Sequence, residues 1–308
     1  MAVSLIIGAG AVGRALAAHL TERDQRVLVG TRSGTEVPGT EAVRLQASDA
    51  EALTRAARGV EALYVCSNPP YPAWEREWPP ITAAVISAAE ATGARVVLMG
   101  NLYAYGRAHM PMREDSPLNP ADRKGEVRRR MWEELLAAHT AGRIQATEVR
   151  ASDYFGPGAG ANAHLGPRFL KPLAASKTTW VVGNPSLAHS WAYLPDIAAT
   201  LAAASADGAS GTAWHVPHSS HLDRLTIARR VNELLGSAGR VRTYPAALFR
   251  IGGKFLPEVR EIGASSYQFT SSFTADSART EAALGVRATP FDVALESTLR
   301  NSAGLKIR

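Results

Sequence analysis

Three glycines near the start of the chain, Gly8, Gly10 and Gly13, have a spacing that suits backbone passing close to a charged ligand. Gly8 permits a tight turn. Gly10 has no Cβ, so the chain can approach a pyrophosphate, and Gly13 lets a helix pack close to a strand. The flanks agree. Val3 to Ile7 is an apolar run that reads as a buried strand, and Arg14 to Glu22 reads as a helix. The start of such a helix offers free N–H groups, those of Ala11 and Val12 among them, and a positive dipole end to phosphates. Strand, glycine turn and helix in that order point to a dinucleotide site. The competing reading is a glycine turn in an α/β fold that binds no nucleotide.

A second group of residues follows the next strand, Val27 to Gly30. A site for NAD usually ends this strand with an acid that accepts from the ribose 2′-hydroxyl. Here the chain runs into Thr31, Arg32 and Ser33 with no acid. Arg32 suits a bidentate pair with a 2′-phosphate, and the two hydroxyls could add hydrogen bonds. This favours NADP(H) over NAD, against the plainer reading of Arg32 as a solvated loop residue.

The elements that must position these groups alternate strand and helix. Ala42 to Leu45 reads as a third strand. Ser48 is the expected N-cap of a helix through Arg58, with Glu51 at the capping-box position. Ala62 to Ser67 is a fourth strand, Arg95 to Met99 a fifth and Ala146 to Arg150 a sixth. Such alternation implies right-handed βαβ units and a parallel sheet, with ligands beyond the carboxyl ends of the strands. Asn68, just after the fourth strand, is therefore placed with the cofactor-binding residues. Residues 68–80 hold five prolines and three aromatics and read as a stiff loop that lines a pocket or buries its aromatics in a subunit contact.

Composition bounds the function. The chain has 308 residues, 46% hydrophobic and 20% charged, enough for a substantial core. The single cysteine, Cys66, excludes an intrachain disulfide and any multi-cysteine metal site, and its apolar surroundings suit a buried thiol. No metal site is expected. The net charge of +6 is dispersed. Its one dense run, Arg128 to Arg130, precedes Glu133 and Glu134 on an expected helix, so nucleic acid is not an expected partner. No apolar stretch is long enough for a membrane span, and no signal peptide is evident. A cytoplasmic protein with a small-molecule substrate is the expectation.

Over nearly its whole length the chain resembles the extended short-chain dehydrogenase/reductase family, which includes sugar epimerases, dehydratases and carbonyl reductases. Asn101 to Gly106 resembles its Ser-x-x-Val-Tyr-Gly segment, and Glu114-Asp115-Ser116-Pro117 its Glu-Asp-Thr-Pro. Arg150 to Gly158 resembles Arg-Pro-x-x-x-Tyr-Gly-Pro-Gly, Ser190 to Ala198 the later Val-x-Asp-Val-Ala strand, and Phe273 to Gly285 the closing Asp-x-Ser-Lys-Ala…Leu-Gly. The resemblance implies a Rossmann-type α/β fold, a doubly wound parallel sheet with a smaller C-terminal substrate-binding lobe. Residues 1–150 would form the dinucleotide-binding core. Residues 151–308 would complete it in interleaved segments and form the lobe, to which the bulky apolar stretches Pro245 to Phe255 and Ala264 to Phe273 are suited. Homodimers are common in the family, and the helices Ile81–Thr92 and Val127–His139 would be the pairing face.

The catalytic positions depart from the family pattern of Ser or Thr, then Tyr-x-x-x-Lys. By register, Asn101 takes the serine position, Lys124 the tyrosine and Arg128 the lysine. The i, i+4 spacing survives and keeps Lys124 and Arg128 on one helix face. Three readings stay open. In the first, Asn101 polarises a carbonyl oxygen while Lys124, its pKa lowered beside Arg128, donates the proton, with Tyr103 or Tyr105 as an alternative phenol. In the second, the protein binds NADP without turnover, as a sensor. In the third, the two cations bind an anionic or sugar-like substrate for an isomerisation or elimination. Asp153 and Tyr154, after the sixth strand, are further pocket candidates; His164 is either a substrate ligand or a plain loop histidine, and His189 either meets the pocket or hydrogen-bonds locally.

Overall fold

The computed structural model describes residues 2–245, 261, 263–302 and 305. The strands are β1 (Val3–Ile7), β2 (Arg26–Thr31), β3 (Glu41–Arg44), β4 (Ala62–Val65), β5 (Arg95–Asn101), β6 (Ala146–Ala151), β7 (Tyr154–Phe155), β8 (Thr178–Val181), β9 (Ala192–Tyr193), β10 (Ala213–His215) and β11 (Arg240–Thr243). The helices are α1 (Ala11–Thr21), α2 (Ala50–Ala56), α3 (Trp74–Thr92), α4 (Arg123–Thr140), α5 (Pro167–Ala174), α6 (Leu194–Ala203), α7 (Arg224–Leu235), α8 (Ala278–Leu284) and α9 (Phe291–Arg300).

Seven strands form one sheet in the order β10-β6-β5-β4-β1-β2-β3, parallel throughout. The strand order reverses between β1 and β4, which opens a crevice at their carboxyl ends. The two-residue period of a strand sends Leu5 and Ile7 to one face and Ile6 to the other. Leu5 and Ile7 pack with Leu53 of α2, Trp78 and Val85 of α3 and Met131 of α4. Ile6 packs with Leu16 of α1 and Ile197 of α6. A doubly wound Rossmann-type sheet is thus observed. A further apolar cluster joins Phe155, Leu173, Ile227, Phe269 and Leu295, from segments beyond β6. Of the bulky stretches assigned to that part of the chain, 246–255 lies outside the described residues. Among the described residues no helix is long and apolar enough to cross a membrane, and no group of three His, Cys, Asp or Glu is placed to hold a metal ion.

Two local expectations are corrected. The proline-rich stretch is not a loop to its end, because α3 begins at Trp74 and contains Pro79 and Pro80. A proline inside a helix removes the bond to the carbonyl four residues back. Those carbonyls belong to Glu75 and Arg76, both exposed, so the freed acceptors face solvent rather than the core. Trp74 and Trp78 are 2% and 0% exposed, so burial of two indoles outweighs the lost bonds. The second correction concerns α2. Its N-cap is Asp49, whose carboxylate accepts from Ala52 N at 2.9 Å, and not Ser48, whose hydroxyl accepts instead from the Gln46 amide at 3.1 Å.

A polar network lies under the carboxyl end of the sheet. The buried Glu148 and Arg150 pair through Oε2 and Nε at 2.7 Å. Arg150 also donates to the Tyr105 hydroxyl at 2.6 Å, which leaves that hydroxyl to donate to His215 Nε2 at 2.8 Å. His215 Nδ1 then donates to the Asp276 carbonyl at 2.8 Å. Burial drives the His215 pKa from 6.5 down to about 3, so the ring is neutral and each proton has one place. Tyr105, 0% exposed, is spoken for by this network and is corrected as a candidate catalytic phenol. On the neighbouring strand, a Cβ at Gly100 would lie 2.2 Å from Glu148 Oε1.

Two outcomes follow for stability. Gly100→Ala must push the Glu148 carboxylate off Arg150, at a cost of about 2–4 kcal/mol in urea unfolding. Gly160→Ala, which meets open space, is the control and should cost far less. His215 gives a pH signature. Between pH 6.5 and about 3 the unfolded chain binds a proton that the folded chain refuses, so stability falls as pH falls through that window. His215→Gln should flatten the fall by up to about 1.4 kcal/mol per pH unit. Equal slopes in the two proteins would show that the ring is not held neutral.

Candidate functional site

The glycine turn has the geometry that its spacing implied. Gly8 adopts φ +107°, and a Cβ there would lie 2.7 Å from Ser67 N. A Cβ on Gly13 would lie 2.0 Å from the Gly8 carbonyl oxygen. Both glycines are therefore demanded by close backbone approach. Gly10 differs: it caps α1, and a Cβ there meets nothing within 4 Å. That open side, at the N-terminus formed by Ala11 and Val12, is a cradle for an anion. Ser67 Oγ is buried beside it with no protein partner. These residues fit the pyrophosphate of a dinucleotide.

At the end of β2, Arg32 is exposed, and among the described residues nothing pairs with it. Thr31 Oγ1 accepts from Thr35 N at 2.7 Å, and Ser33 Oγ bonds Thr35 Oγ1 at 2.7 Å. The two hydroxyls thus shape the turn that presents Arg32. Arg44, which pairs with Thr31 across the sheet, flanks the same turn and is exposed, with no carboxylate paired to it among the described residues. Its place beside Arg32 comes from strand register, which the sequence reading did not use.

Lys124 and Arg128 lie in the first turns of α4, where Asp122 caps the helix by accepting from Gly125 N at 2.8 Å. Both side chains point inward, but to different places. Arg128 lies over both the Trp74 and Trp78 rings, in the corner that these near-perpendicular indoles form, 4.6 Å from each centroid. It donates to the Met99 carbonyl at 3.2 Å and to Asn68 Oδ1 at 3.4 Å, while its buried Nε has no protein partner. Burial lowers its pKa to about 10, so it remains a cation at neutral pH. Lys124 Nζ donates to the Glu261 carbonyl at 2.7 Å, stands 3.6 Å from that residue's carboxylate, and sits 4.6 Å from the centre of the Tyr71 ring. The Lys124 pKa is lowered, as expected, but by burial and not by Arg128; Asp122 and Glu261 act in the opposite direction. The remaining arginines of the dense run pair outward, Arg129 with Glu126 and Glu133, and Arg130 with Glu126.

Asn101, at the end of β5, accepts from Tyr103 N through Oδ1 at 3.0 Å. This fixes the amide orientation, and among the described residues its NH2 has no partner, so it is left to donate. Tyr103 follows in a short 3-10 turn, its hydroxyl 3.3 Å from that of Tyr71 and its ring stacked on Trp74. Burial pushes the Tyr103 phenol well above the ordinary value, and raises Tyr71 as well. Both are hydrogen-bonding groups in their neutral form. Cys66 is buried, its thiol pushed up to about 12, and is inert.

Beyond β6, Asp153 bonds His189 Nε2 at 2.9 Å through Oδ2, and its Oδ1 is 4.0 Å from His164 Nε2. Asp153 also acts electrostatically on Tyr71, Tyr103 and Tyr154. The structure thus gathers Asn68, Tyr103, Lys124, Arg128 and Asp153 at one end of the sheet. It adds Tyr71, Trp74, Trp78 and Glu261, which the sequence reading did not single out. The aromatic density of residues 71–78 was the one signal for three of these; Glu261 had none.

Comparison with known proteins places this geometry in a family. Residues 4–216 match the model of the NAD dependent epimerase/dehydratase family. Among solved structures, dTDP-glucose 4,6-dehydratase of Streptomyces venezuelae superposes with a TM-score of 0.78 at 19% identity, over 97% of this chain and 96% of that one. UDP-glucose 4-epimerase of Thermotoga maritima gives 0.79 at 14%, over 97% and 98%. An epimerase of Methanothermobacter thermautotrophicus gives 0.80 at 18%, over 97% and 91%. At these identities the likeness is one of fold. No curated protein matches the sequence. With a family match that spans most of its length, around a glycine turn built for a dinucleotide, the chain belongs to the NAD dependent epimerase/dehydratase family.

Proposed function

We propose that the protein is an NADP(H)-dependent oxidoreductase that exchanges hydride at a hydroxyl- or carbonyl-bearing carbon of a small metabolite. The family match supports a nicotinamide dinucleotide, as does the NAD held by the Streptomyces dehydratase and by UDP-glucuronic acid 4-epimerase of Bacillus cereus. The observation that favours the phosphorylated form is Arg32, exposed at the end of β2 beside Arg44 with no acid where a ribose 2′-hydroxyl would need one. The cofactor supplies the hydride chemistry. The chain's own residues bind and orient. Gly10, Ala11 and Val12 present backbone to the pyrophosphate. Asn68 and Arg128 offer an acceptor and an unspent donor for ribose hydroxyls. The Asn101 amide donates to the reacting oxygen.

A second reading is a redox-neutral epimerase or dehydratase on an anionic or sugar-like substrate. It is favoured by the fold shared with sugar-nucleotide enzymes and by the buried charge of Lys124. The two readings separate in one assay. Net loss of NADPH absorbance with a carbonyl panel is the oxidoreductase outcome. Product formed with no net cofactor change is the epimerase or dehydratase outcome, and tight NADPH binding with no turnover would leave a sensor.

The cofactor preference has its own test. Arg32→Ala should weaken NADPH by about 10–100-fold, the loss of a charge-assisted pair of about 1.5–3 kcal/mol. NADH should change little in the same titration. Equal losses for both would remove Arg32 from the 2′-phosphate. Lys124→Ala should lower turnover if its ammonium acts on substrate; unchanged kcat and KM would confine it to tying α4 to Glu261.

A further inference from the structure

Among the described residues, the phenols and the ammonium near Asn101 are already engaged. The Tyr71 and Tyr103 phenols are both pushed up by burial, and Lys124 spends its ammonium on Glu261. Asp153 and two histidines lie on the substrate side of the sheet end. His189 is 4% exposed at its side chain, packed with its ring centre 4.3 Å from Trp191, 5.0 Å from Phe269 and 5.3 Å from Phe273. It holds Asp153 Oδ2 at 2.9 Å and has no room to move. The other carboxylate oxygen faces His164, whose side chain is 36% exposed and whose ring centre is 4.5 Å from Phe269. His164 is thus the member of the cluster that a ligand can reach. Asp153 lies two residues beyond Ala151, which pairs with Asn101 across β5 and β6, so it stands at the same end of the sheet as Asn101.

We propose that His164 and Asp153 are the proton-transfer pair of this site, with His189 as the positioning residue that fixes Asp153. The proposal rests on the hydride-exchange reading above. In the oxidising direction the substrate C–H bond breaks and its electron pair passes as hydride to the oxidised nicotinamide. The O–H proton passes to His164, and the C–O bond becomes a carbonyl. His164 Nε2–H faces Asp153, which leaves the Nδ1 lone pair to take the proton and Asp153 to hold the imidazolium. The proton then leaves to water on the exposed side of the ring. Reduction reverses each step. The 4.0 Å gap between His164 and Asp153 is of the kind that tightens when ligand binds.

The charged neighbours give a sign that can be tested. Burial, Arg224 and His189 lower the His164 pKa, and Asp153 raises it. Arg224 is held by the Val182 carbonyl at 2.7 Å and by the Phe269 ring, so it is a fixed charge. The experiment uses the full chain with NADPH, the carbonyl panel and histidine labelled for NMR, the His164 signal being assigned from His164→Gln. Asp153→Asn should move the His164 midpoint to lower pH. NADPH affinity should stay within about twofold in both variants. His164→Gln should lower kcat by about 10²–10⁴-fold with KM little changed and abolish the pH dependence that His164 imposes. A His164 midpoint indifferent to Asp153→Asn overturns the pair even where the panel gives no turnover. Turnover that keeps its rate and pH profile in His164→Gln overturns the proton role while leaving the hydride reading intact. Failure of the wild-type protein to bind NADPH would count against the hydride reading instead, and the NMR shift would still decide whether the pair exists.

Discussion

Taking a guanidinium out of water costs on the order of several kcal/mol, and much of the site follows from how that cost is met at Arg128. Two indole faces cover it, one carbonyl and one amide oxygen accept from it, and the buried Glu148 carboxylate adds a favourable field. Those groups come from the end of β4, from β5, from α3 and from β6. One cation therefore ties four elements to α4 at the carboxyl end of the sheet. The same requirement explains the early start of α3. Without Trp74 and Trp78 in helical register, the lower turns of α3 would have only their prolines to recommend them. It also explains Gly100. The carboxylate that offsets Arg128 occupies the space a side chain on β5 would need.

The parts of this architecture legible in sequence were those whose cause is local. The glycine turn could be read because the positive φ of Gly8 and the contact of Gly13 with the Gly8 carbonyl are set within the turn itself, and the apolar strands because burial on both faces leaves continuous runs. The α3 boundary could not. Proline's cost acts inside the helix, whereas the gain comes from Trp74 and Trp78 meeting a residue some fifty positions later. Asp49 and Ser48 compete for one cap on equal chemical terms, and only the observed backbone decides. Tyr105 was a candidate only as a phenol after the fifth strand; its removal depends on Arg150 and His215, which approach from β6 and β10. Lys124 and Arg128 share the buried face of α4, as their i, i+4 spacing implied for a common face, but the reason given for the lowered Lys124 pKa failed. The i, i+4 spacing fixes where two Cβ atoms point and not where long side chains end.

Lys124 does not make its neighbouring phenols acidic. A phenol becomes acidic when a positive charge lies near its oxygen. Lys124 instead lies over the faces of Tyr71 and Tyr103, 4.6 and 6.0 Å from the ring centres. There it is attracted to the π electrons of the neutral rings. Desolvation then acts on both phenols and raises them. An arrangement that binds the lysine well therefore leaves the tyrosines as donors and acceptors of fixed hydrogen bonds. Imidazole is the side chain whose ordinary range lies near neutral pH, and that is the chemical ground for proposing His164.

Charge is distributed unevenly along the crevice, and this bears on how a ligand would lie in it. At the inner end each cation has an anion in its field: Glu148 for Arg128, Glu261 for Lys124 and Asp153 for Arg224. At the outer end Arg32 and Arg44 are exposed, and Arg14, whose Nε turns back to the Ala9 carbonyl at 3.0 Å, borders the glycine turn. No carboxylate pairs with any of the three among the described residues. The unpaired positive charge is thus concentrated over β1 to β3, beside the N-terminus of α1, and falls away toward β6. A long ligand with its phosphates at one end and an uncharged reactive group at the other is matched to that gradient in one orientation. Reversing it would strip phosphates of their cations and set them against Asp153.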